Sequence, residues 1–138
     1  MKILFDTNVI LDVMLLREPF FKPAAWLLSE VERNHIHGFI CATTVTTIYY
    51  LVEKVKNRQF AEEQISGLLK IFGVTPDDKS CLESALTTKG NDYEDAVLYE
   101  SAIRQGVEGI VTRNEKDFPK SKIPIYNPDE LVKIIKAV

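Results

Sequence analysis

The sequence has little of the residue types that form most zinc and disulfide sites. Its 138 residues include two cysteines and two histidines. Cys41 and Cys81 form no CxxC pair, and no arrangement of them with histidine suggests zinc. We interpret them as buried free thiols in a reducing cytoplasm. His35 and His37 flank the start of a predicted strand with no ligand set nearby, so we interpret them as surface or packing residues.

Long apolar runs and an excess of positive charge are also absent from the sequence. No uninterrupted apolar run approaches the ~20 residues that cross a membrane, and the first residues lack the basic start and cleavage site of a secretory signal. We therefore expect a cytoplasmic chain that makes no membrane contact. The net charge of -3 argues against a general polyanion-binding surface, so contact with a nucleic acid requires a local basic patch.

Repeats, low-complexity tracts and linkers are missing too, and the length suits a single domain, which we assign to residues 1–138. What the sequence does contain is a series of short apolar segments that alternate with segments of helical periodicity. This order is typical of a parallel sheet with helices on both faces. We therefore predict an α/β fold: a three-layer α/β/α sandwich around a central parallel sheet of 4-5 strands, at residues 2–6, 38–42, 73–76, 109–112 and 123–127.

Several helix ends carry recognisable signals. Asn127 followed by Pro128 predicts the start of the last helix, Asn91 is the predicted cap of an earlier helix, and Gly106 predicts its end. The apolar face of the helix over 58–72 must be buried against the chain's own core, a second copy of the chain or a partner protein. The predicted helices span residues 8–16, 21–35, 43–56, 60–72, 77/78–86, 91–106 and 128–138.

A charged residue ends the first predicted strand. Asp6 directly follows the apolar residues 3–5, and a second apolar run begins at Val9. An ionised carboxylate in a dry core is costly unless it is paired or holds a metal. Asp6 therefore either caps the helix that begins near Asn8 or belongs to a functional site.

The second possibility is favoured by other polar residues at strand ends. In parallel α/β folds, ligands bind beyond the carboxyl ends of the strands. Thr112, Arg113 and Asn114 end the fourth predicted strand, and Asp117 lies just beyond. We expect these residues to share one sheet edge with Asp6.

Two further acids, Asp92 and Asp95, are three residues apart and share a face at the start of a predicted helix. Each acid alone has a simpler interpretation: Asp92 favours the helix dipole, Asp95 is a solvated charge, and Asp117 is a turn residue. Together, three or four carboxylates at one sheet edge repel one another unless cations screen them. Oxygen ligands of this kind suit Mg²⁺ or Mn²⁺, which points to phosphodiester or phosphoryl chemistry.

Three segments in this order carry a resemblance to a known family: "ILFDTNVILD", "DYEDAV" and "IVTRNEKDF". With them the chain resembles the PIN domain, the nuclease fold of many bacterial toxins in toxin–antitoxin pairs. The resemblance implies an acid-lined pocket, RNA cleavage dependent on Mg²⁺ or Mn²⁺, and an antitoxin partner. It matches Asp6 to the first acid of the family, Asp95 to the third and Asp117 to the fourth, and it matches Asn8 and Thr112 to polar pocket residues.

The sequence departs from the family at the second acid. The family usually has glutamate in the helix after the second strand, and the corresponding position here is Thr47, or a residue next to it. Glu53 lies six residues further on, roughly 9 Å along the helix axis, which is too far without a reshaped helix. Asp92 is the better substitute, because it lies one turn from Asp95. The departure implies weak metal binding or slow cleavage.

We therefore assign Asp6, Asp92, Asp95 and Asp117 as candidate catalytic residues, with Asp6, Asp95 and Asp117 as the ligands of Mg²⁺ or Mn²⁺. Lys120 and Lys122 belong to a basic cluster after the fourth strand that either contacts RNA phosphates or is a solvated loop. The residues that we assign to RNA binding are Asn8, Thr112, Arg113, Asn114 and Lys116. The predicted partners are RNA, an antitoxin and a second copy of the chain.

Two other functions remain open at this point. The first is a PIN-like module that has lost cleavage and binds RNA or protein, which the acid missing at Thr47 favours. The second is a phosphatase of the haloacid dehalogenase type, which also has an aspartate after its first strand. That family requires the pattern DxDxT, and here Asn8 stands where the second aspartate belongs, so we rank it last.

Overall fold

The computed structural model describes residues 1–88 and 92–138. Its five strands are all parallel and lie in the order β3-β2-β1-β4-β5. The strands β2 and β3 therefore lie on one side of β1, and β4 and β5 lie on the other side. The strands are β1 (Lys2–Phe5), β2 (His37–Cys41), β3 (Gly73–Thr75), β4 (Gly109–Val111) and β5 (Ile125–Tyr126).

Helices cover both faces of this sheet. One face carries most of them, and the other carries the two helices between β3 and β4. The first face holds α1 (Thr7–Met14), α2 (Phe21–Glu32), α3 (Ala42–Val55), α4 (Arg58–Ile71) and α7 (Pro128–Lys136). The second face holds α5 (Lys79–Ala85) and α6 (Tyr93–Gln105). The predicted three-layer α/β/α sandwich is confirmed.

The central strand β1 shows why the sheet needs a layer on each side. Successive side chains of a strand point to opposite faces. Ile3 and Phe5 pack into the core beneath α1 and α2, whereas Leu4 packs into the core beneath α6. All three side chains are fully buried, so removing either helical layer would expose apolar surface.

The predicted start of the last helix and the predicted end of α6 are confirmed. Asn127 accepts a hydrogen bond from Glu130 N, and the Glu130 side chain bonds back to complete a capping box. Gly106 ends α6 with a left-handed backbone. The predicted cap Asn91 lies outside the described residues; Asp92 caps α6 by accepting from Asp95 N.

All five strands end one residue before the predicted end, and at β1 and β4 the residue left outside is polar. Asp6 and Thr112 were both expected within strands, but β1 ends at Phe5 and β4 ends at Val111. Asp6 instead has the extended backbone of a helix cap and begins α1. Both polar side chains therefore stand just beyond the sheet edge, where they can form a site.

The helix predicted over 58–72 buries part of its apolar face against the core of the same chain. Ala61 and Leu68 of α4 are buried in the same core as Ile48 and Val52 of α3. Leu69 is exposed on the same helix. Among the described residues, no helix has the length and apolar character needed to cross a membrane.

Candidate active site

The site lies beyond the carboxyl ends of β1 and β4, the two neighbouring strands at which the strand order changes direction. In the register of these two strands, Phe5 is paired with Val111. The backbone N–H of Asp6 donates to the Val111 carbonyl at 3.0 Å. Asp6 and Thr112 therefore leave the two strands side by side, at the kind of switch point where parallel α/β folds bind ligands.

Both oxygens of the Asp6 carboxylate accept hydrogen bonds. Oδ1 accepts from Thr7 N at 2.7 Å, and Oδ2 accepts from the Thr112 hydroxyl at 2.7 Å. Asp6 thus caps α1, as the simpler interpretation held, and also contacts the end of β4. Burial raises the pKa of Asp6, the two hydrogen bonds oppose that shift, and the charges of Asp117 and Asp92 add to it.

Asn8 and Thr112 connect these two segments further. The Asn8 amide nitrogen donates to Thr112 Oγ1 at 3.3 Å, and its oxygen accepts from Arg113 N at 3.2 Å. Thr112 Oγ1 also accepts from Asn114 N at 3.0 Å. Asn8, Thr112 and the Asn114 backbone therefore fix the position of Asp6, and their predicted contact with RNA stays a prediction.

The acids at the start of α6 lie close enough to Asp6 to interact with its charge. Partial burial and the charges of Asp92, Asp6 and Asp117 raise the pKa of Asp95 to about 7. Asp92 Oδ1 accepts from Asp95 N at 2.7 Å, which holds the two acids together. Desolvation and the charges of Asp92 and Asp6 raise the pKa of Glu94 as well.

Asp117 ends a 3-10 helix, Glu115–Asp117, in the segment after β4. Its charge raises the pKa of both Asp6 and Asp95, so the fold brings the three predicted metal ligands into one neighbourhood. Within residues 1–88 and 92–138, however, no three histidine, cysteine or acidic side chains form a ready-made metal cluster. Coordination of one ion by all three stays a prediction. Lys116 is exposed on the same short helix.

The donor set nevertheless suits a hard divalent cation. All of the clustered groups are carboxylates, which Mg²⁺ and Mn²⁺ prefer over sulfur ligands. The raised pKa of Asp95 arises partly from its acidic neighbours, and a bound cation would relieve that repulsion. The residues present therefore fit such an ion by their chemistry.

Arg113 pairs with an acid that the sequence analysis did not single out. Its Nε donates to Asp12 Oδ2 at 2.6 Å and its Nη2 donates to Oδ1 at 3.2 Å, while the guanidinium stacks on Phe20. The Asp12 side chain is fully buried, and Arg17 lies 3.7 Å from it. This guanidinium therefore links α1 to the segment after β4, and an additional contact with RNA stays a prediction.

The region of the missing second acid holds hydroxyl groups. Thr47 is half-buried in α3 and donates to the Thr43 carbonyl at 3.4 Å. An acid approaches this helix from elsewhere: Asp77 Oδ2 accepts from Thr43 N at 2.8 Å. No side chain of α3 caps its N-terminus, so Asp77 serves as that cap from the loop after β3.

Two residues near this site, Asp12 and Glu94, were not singled out from the sequence, although the position of each one in the sequence could have indicated it. Asp12 lies four residues after Asn8, so the two share a face of α1 in an otherwise apolar segment. Glu94 lies between the two acids that were chosen in "DYED". The partner of Asp12 had no local signal, because Arg113 is far away in the sequence.

The chain matches the family model of the PIN domain over residues 2–116. It belongs to the PIN domain family, a family of nucleases that generally use divalent metals. This match sets aside the phosphatase alternative. No curated protein sequence matches the chain significantly.

Solved structures share the fold at low sequence identity. The chain is similar to a chain of VapBC-1 from nontypeable Haemophilus influenzae, with 17% identity, a TM-score of 0.69 and coverage of 94% of this chain and 99% of the other. It is similar to DNA-bound VapBC from Salmonella typhimurium, with 18% identity, a TM-score of 0.68 and coverage of 93% and 98%. It is also similar to VapC20 of Mycobacterium tuberculosis, a sarcin-ricin loop cleaving toxin, with 12% identity, a TM-score of 0.64 and coverage of 78% of this chain and 86% of the other.

Proposed function

We propose that this PIN domain is an endoribonuclease that hydrolyses RNA phosphodiester bonds with Mg²⁺ or Mn²⁺. The observation that carries the proposal is that three acids act on one another near the switch point of the sheet: the charge of Asp117 acts on Asp6 and Asp95, and the charge of Asp6 acts on Asp95. Metal-dependent phosphodiester hydrolysis uses a site of this kind, because carboxylates hold the cations that allow an anionic phosphodiester to approach them.

In the proposed mechanism, Asp6, Asp95 and Asp117 would hold the divalent ion. The bound ion would activate water and stabilise charge on the phosphate. Thr7 and Thr112 hold the Asp6 carboxylate in one orientation, and Asp92 fixes the backbone of Asp95. Asn8, Asn114 and Lys116 stand at the same sheet edge and are the proposed contacts for RNA.

Cleavage of a mixed-sequence RNA, with Mn²⁺ and with chelator, tests this proposal. We expect cleavage only with metal, and we expect Asp6→Asn and Asp95→Asn to abolish it. Glu63→Gln is the control, since Glu63 is exposed on α4. Metal-independent cleavage, or full activity of Asp6→Asn, would contradict the proposal.

We also propose that the chain is the toxin of a toxin–antitoxin pair. The support is that two of the similar structures are VapBC assemblies and a third is described as a cleaving toxin. Co-expression with the neighbouring open reading frame should yield a stable complex that no longer cleaves RNA. Size-exclusion chromatography of the chain alone tests the proposed association of two copies.

A second candidate is a PIN module that binds RNA without cleaving it. The observation that favours it is the hydroxyl side chain of Thr47 at the place of the family's second acid. This candidate predicts RNA binding in both metal and chelator, with intact RNA recovered after long incubation.

A further inference from the structure

A pocket of about 380 Å³ opens between α6 and the segment that follows the 3-10 helix. Asp95 and Asp117 line it, so it is continuous with the acidic site. We propose that this pocket binds one nucleotide of a single-stranded RNA, next to the phosphodiester bond that faces the acids. The inference rests on the proposed function and adds to it a substrate subsite.

The size and lining of the pocket suit a nucleotide. Small-molecule sites typically enclose roughly 300–1,000 Å³. The apolar part of the lining includes Ala96 and Phe118, which are buried, and Ile103, which is 38% exposed. A base that leaves its stack requires an apolar surface of this kind, whereas a cluster of hydrated ions does not.

Tyr99 supplies an aromatic ring to the same pocket. Its hydroxyl oxygen accepts a hydrogen bond from the Lys122 backbone N–H at 2.8 Å, which fixes the ring against the loop. Bases of single-stranded RNA stack on aromatic side chains, and stacking does not require a particular base. A duplex keeps its bases stacked within the helix, so the pocket selects single strands or loops.

The charges of the pocket match the backbone of that strand. Lys120 and Lys122 are exposed and line the pocket together with the two acids. On a chain of net charge -3, RNA needs a local positive group beside the acidic edge. We therefore assign to these lysines the phosphate adjacent to the bond that is cut.

Two variants remove the proposed contacts without touching an acid. Lys120→Asn/Lys122→Gln removes both positive charges; asparagine suits position 120 because Lys120 has a φ of 60°, a left-handed backbone that asparagine tolerates. Ile103→Trp fills the pocket. The matched controls are Lys70→Gln/Lys133→Gln, at two exposed lysines elsewhere, and Ile134→Trp, at an exposed isoleucine of α7.

The kinetic test measures cleavage of single-stranded RNA by the wild type and all four variants. We expect the pocket variants to raise KM roughly tenfold with little change in kcat. For the lysine variant, a plot of the logarithm of the binding constant against the logarithm of the salt concentration should have a slope that is less steep by about 0.7 for each lysine removed. Neither control should differ from the wild type.

A binding test separates the subsite from catalysis. The wild type in chelator is titrated with the four ribonucleoside 5′-monophosphates and followed by NMR. We expect chemical shift changes at Tyr99, Ile103 and Phe118 in the wild type, and the changes at Tyr99 and Phe118 should be lost in Ile103→Trp. Shifts at these residues without any RNA cleavage would refute the proposed function and leave the nucleotide site standing.

Three outcomes would overturn the inference. RNA cleavage with the same KM in all variants would refute the subsite and leave the nuclease proposal intact. The absence of both cleavage and nucleotide shifts would refute both proposals. Protection of the pocket by a co-expressed antitoxin, with nucleotides without effect, would assign the pocket to the partner protein instead.

Discussion

Arg113 and the buried Asp12 form a bidentate ion pair between α1 and the segment after β4, with Nε to Oδ2 at 2.6 Å and Nη2 to Oδ1 at 3.2 Å. Asp12 is inaccessible to solvent and Arg113 stacks on Phe20. The segment that Arg113 begins leads to Asp117. The ion pair therefore links the segment that carries Asp117 to α1, the helix that Asp6 caps.

Removing Arg113 should destabilise the fold strongly. Arg113→Ala leaves the buried Asp12 carboxylate with Arg17, whose guanidinium lies 3.7 Å away. Removing one partner of a buried pair costs about 3–5 kcal/mol when the remaining charge is left unpaired, and we expect a loss at the lower end of that range because Arg17 stays. The control Arg58→Ala removes a solvent-exposed pair with Glu62 and should leave the stability almost unchanged, because water and salt screen an exposed ion pair. Urea unfolding measures both changes, and equal losses would contradict the role of Arg113.

The stability of the metal-free protein should fall as the pH rises. Burial and neighbouring acids raise the pKa of Asp95 from 3.8 to about 7, so the folded state binds the proton more tightly than the unfolded state. The stability that this proton provides is complete below pH ~4 and is lost as the pH rises through about 7. Asp6 and Glu94 are shifted in the same direction.

Asp95→Asn isolates this effect, because its neutral amide keeps the size of the side chain. Relative to the wild type, the variant should become progressively more stable between pH 4 and pH 8 in chelator, as measured by thermal unfolding. Glu63→Gln serves as the control on the opposite layer. A constant difference across this range would show that Asp95 has an ordinary pKa.

The hydroxyl of Thr112 should matter for metal affinity through Asp6. Thr112→Val removes the donor at 2.7 Å from Asp6 Oδ2 and leaves Asn8 and Asn114 N–H groups without their acceptor. Because this hydrogen bond lowers the pKa of Asp6, its loss should raise that pKa and weaken Mn²⁺ binding most at acidic pH. A charge-assisted hydrogen bond contributes about 1.5–3 kcal/mol to stability.

Thr44→Val is the matched control for that substitution. Thr44 is equally buried, and its hydroxyl donates to the Cys41 carbonyl at 2.8 Å. It should lose stability without any change in Mn²⁺ affinity. Calorimetric titration compares the two variants, and an equal loss of affinity in both would indicate a general effect of folding.

Restoring the family's second acid should strengthen metal binding. Thr47→Glu adds a carboxylate on α3, and a further anionic ligand increases the attraction for a divalent ion. Without metal, the added negative charge should raise the pKa of neighbouring carboxyls and lower stability. Calorimetric titration with Mn²⁺ and cleavage of a mixed-sequence RNA measure the effect.

Asp6→Asn provides the comparison for this substitution. If Thr47→Glu binds Mn²⁺ no more tightly while Asp6→Asn abolishes cleavage in the parent, the parent site is already complete. Asp92, which caps α6 next to Asp95, or another acid would then fill the role of the missing residue.

The sequence by itself determined the order of the elements and many of their ends. The alternation of apolar strands and amphipathic helices predicted the parallel three-layer fold, because both faces of such a sheet must be covered. Asn127 and Gly106 marked helix ends through interactions with their own neighbours. Asp6 was singled out because a charge that follows a buried strand needs an explanation, Asp117 because it lies just beyond the fourth predicted strand, and Asp95 because it lies in the first turn of the helix that leads to that strand.

Only the tertiary structure decided which of these polar groups are partners. The pairing of Phe5 with Val111 places Asp6 beside Thr112, and no local pattern shows that register. The same packing turns Arg113 toward Asp12. A guanidinium pairs with the carboxylate that the fold places beside it, and desolvation makes that pairing obligatory once the carboxylate is buried.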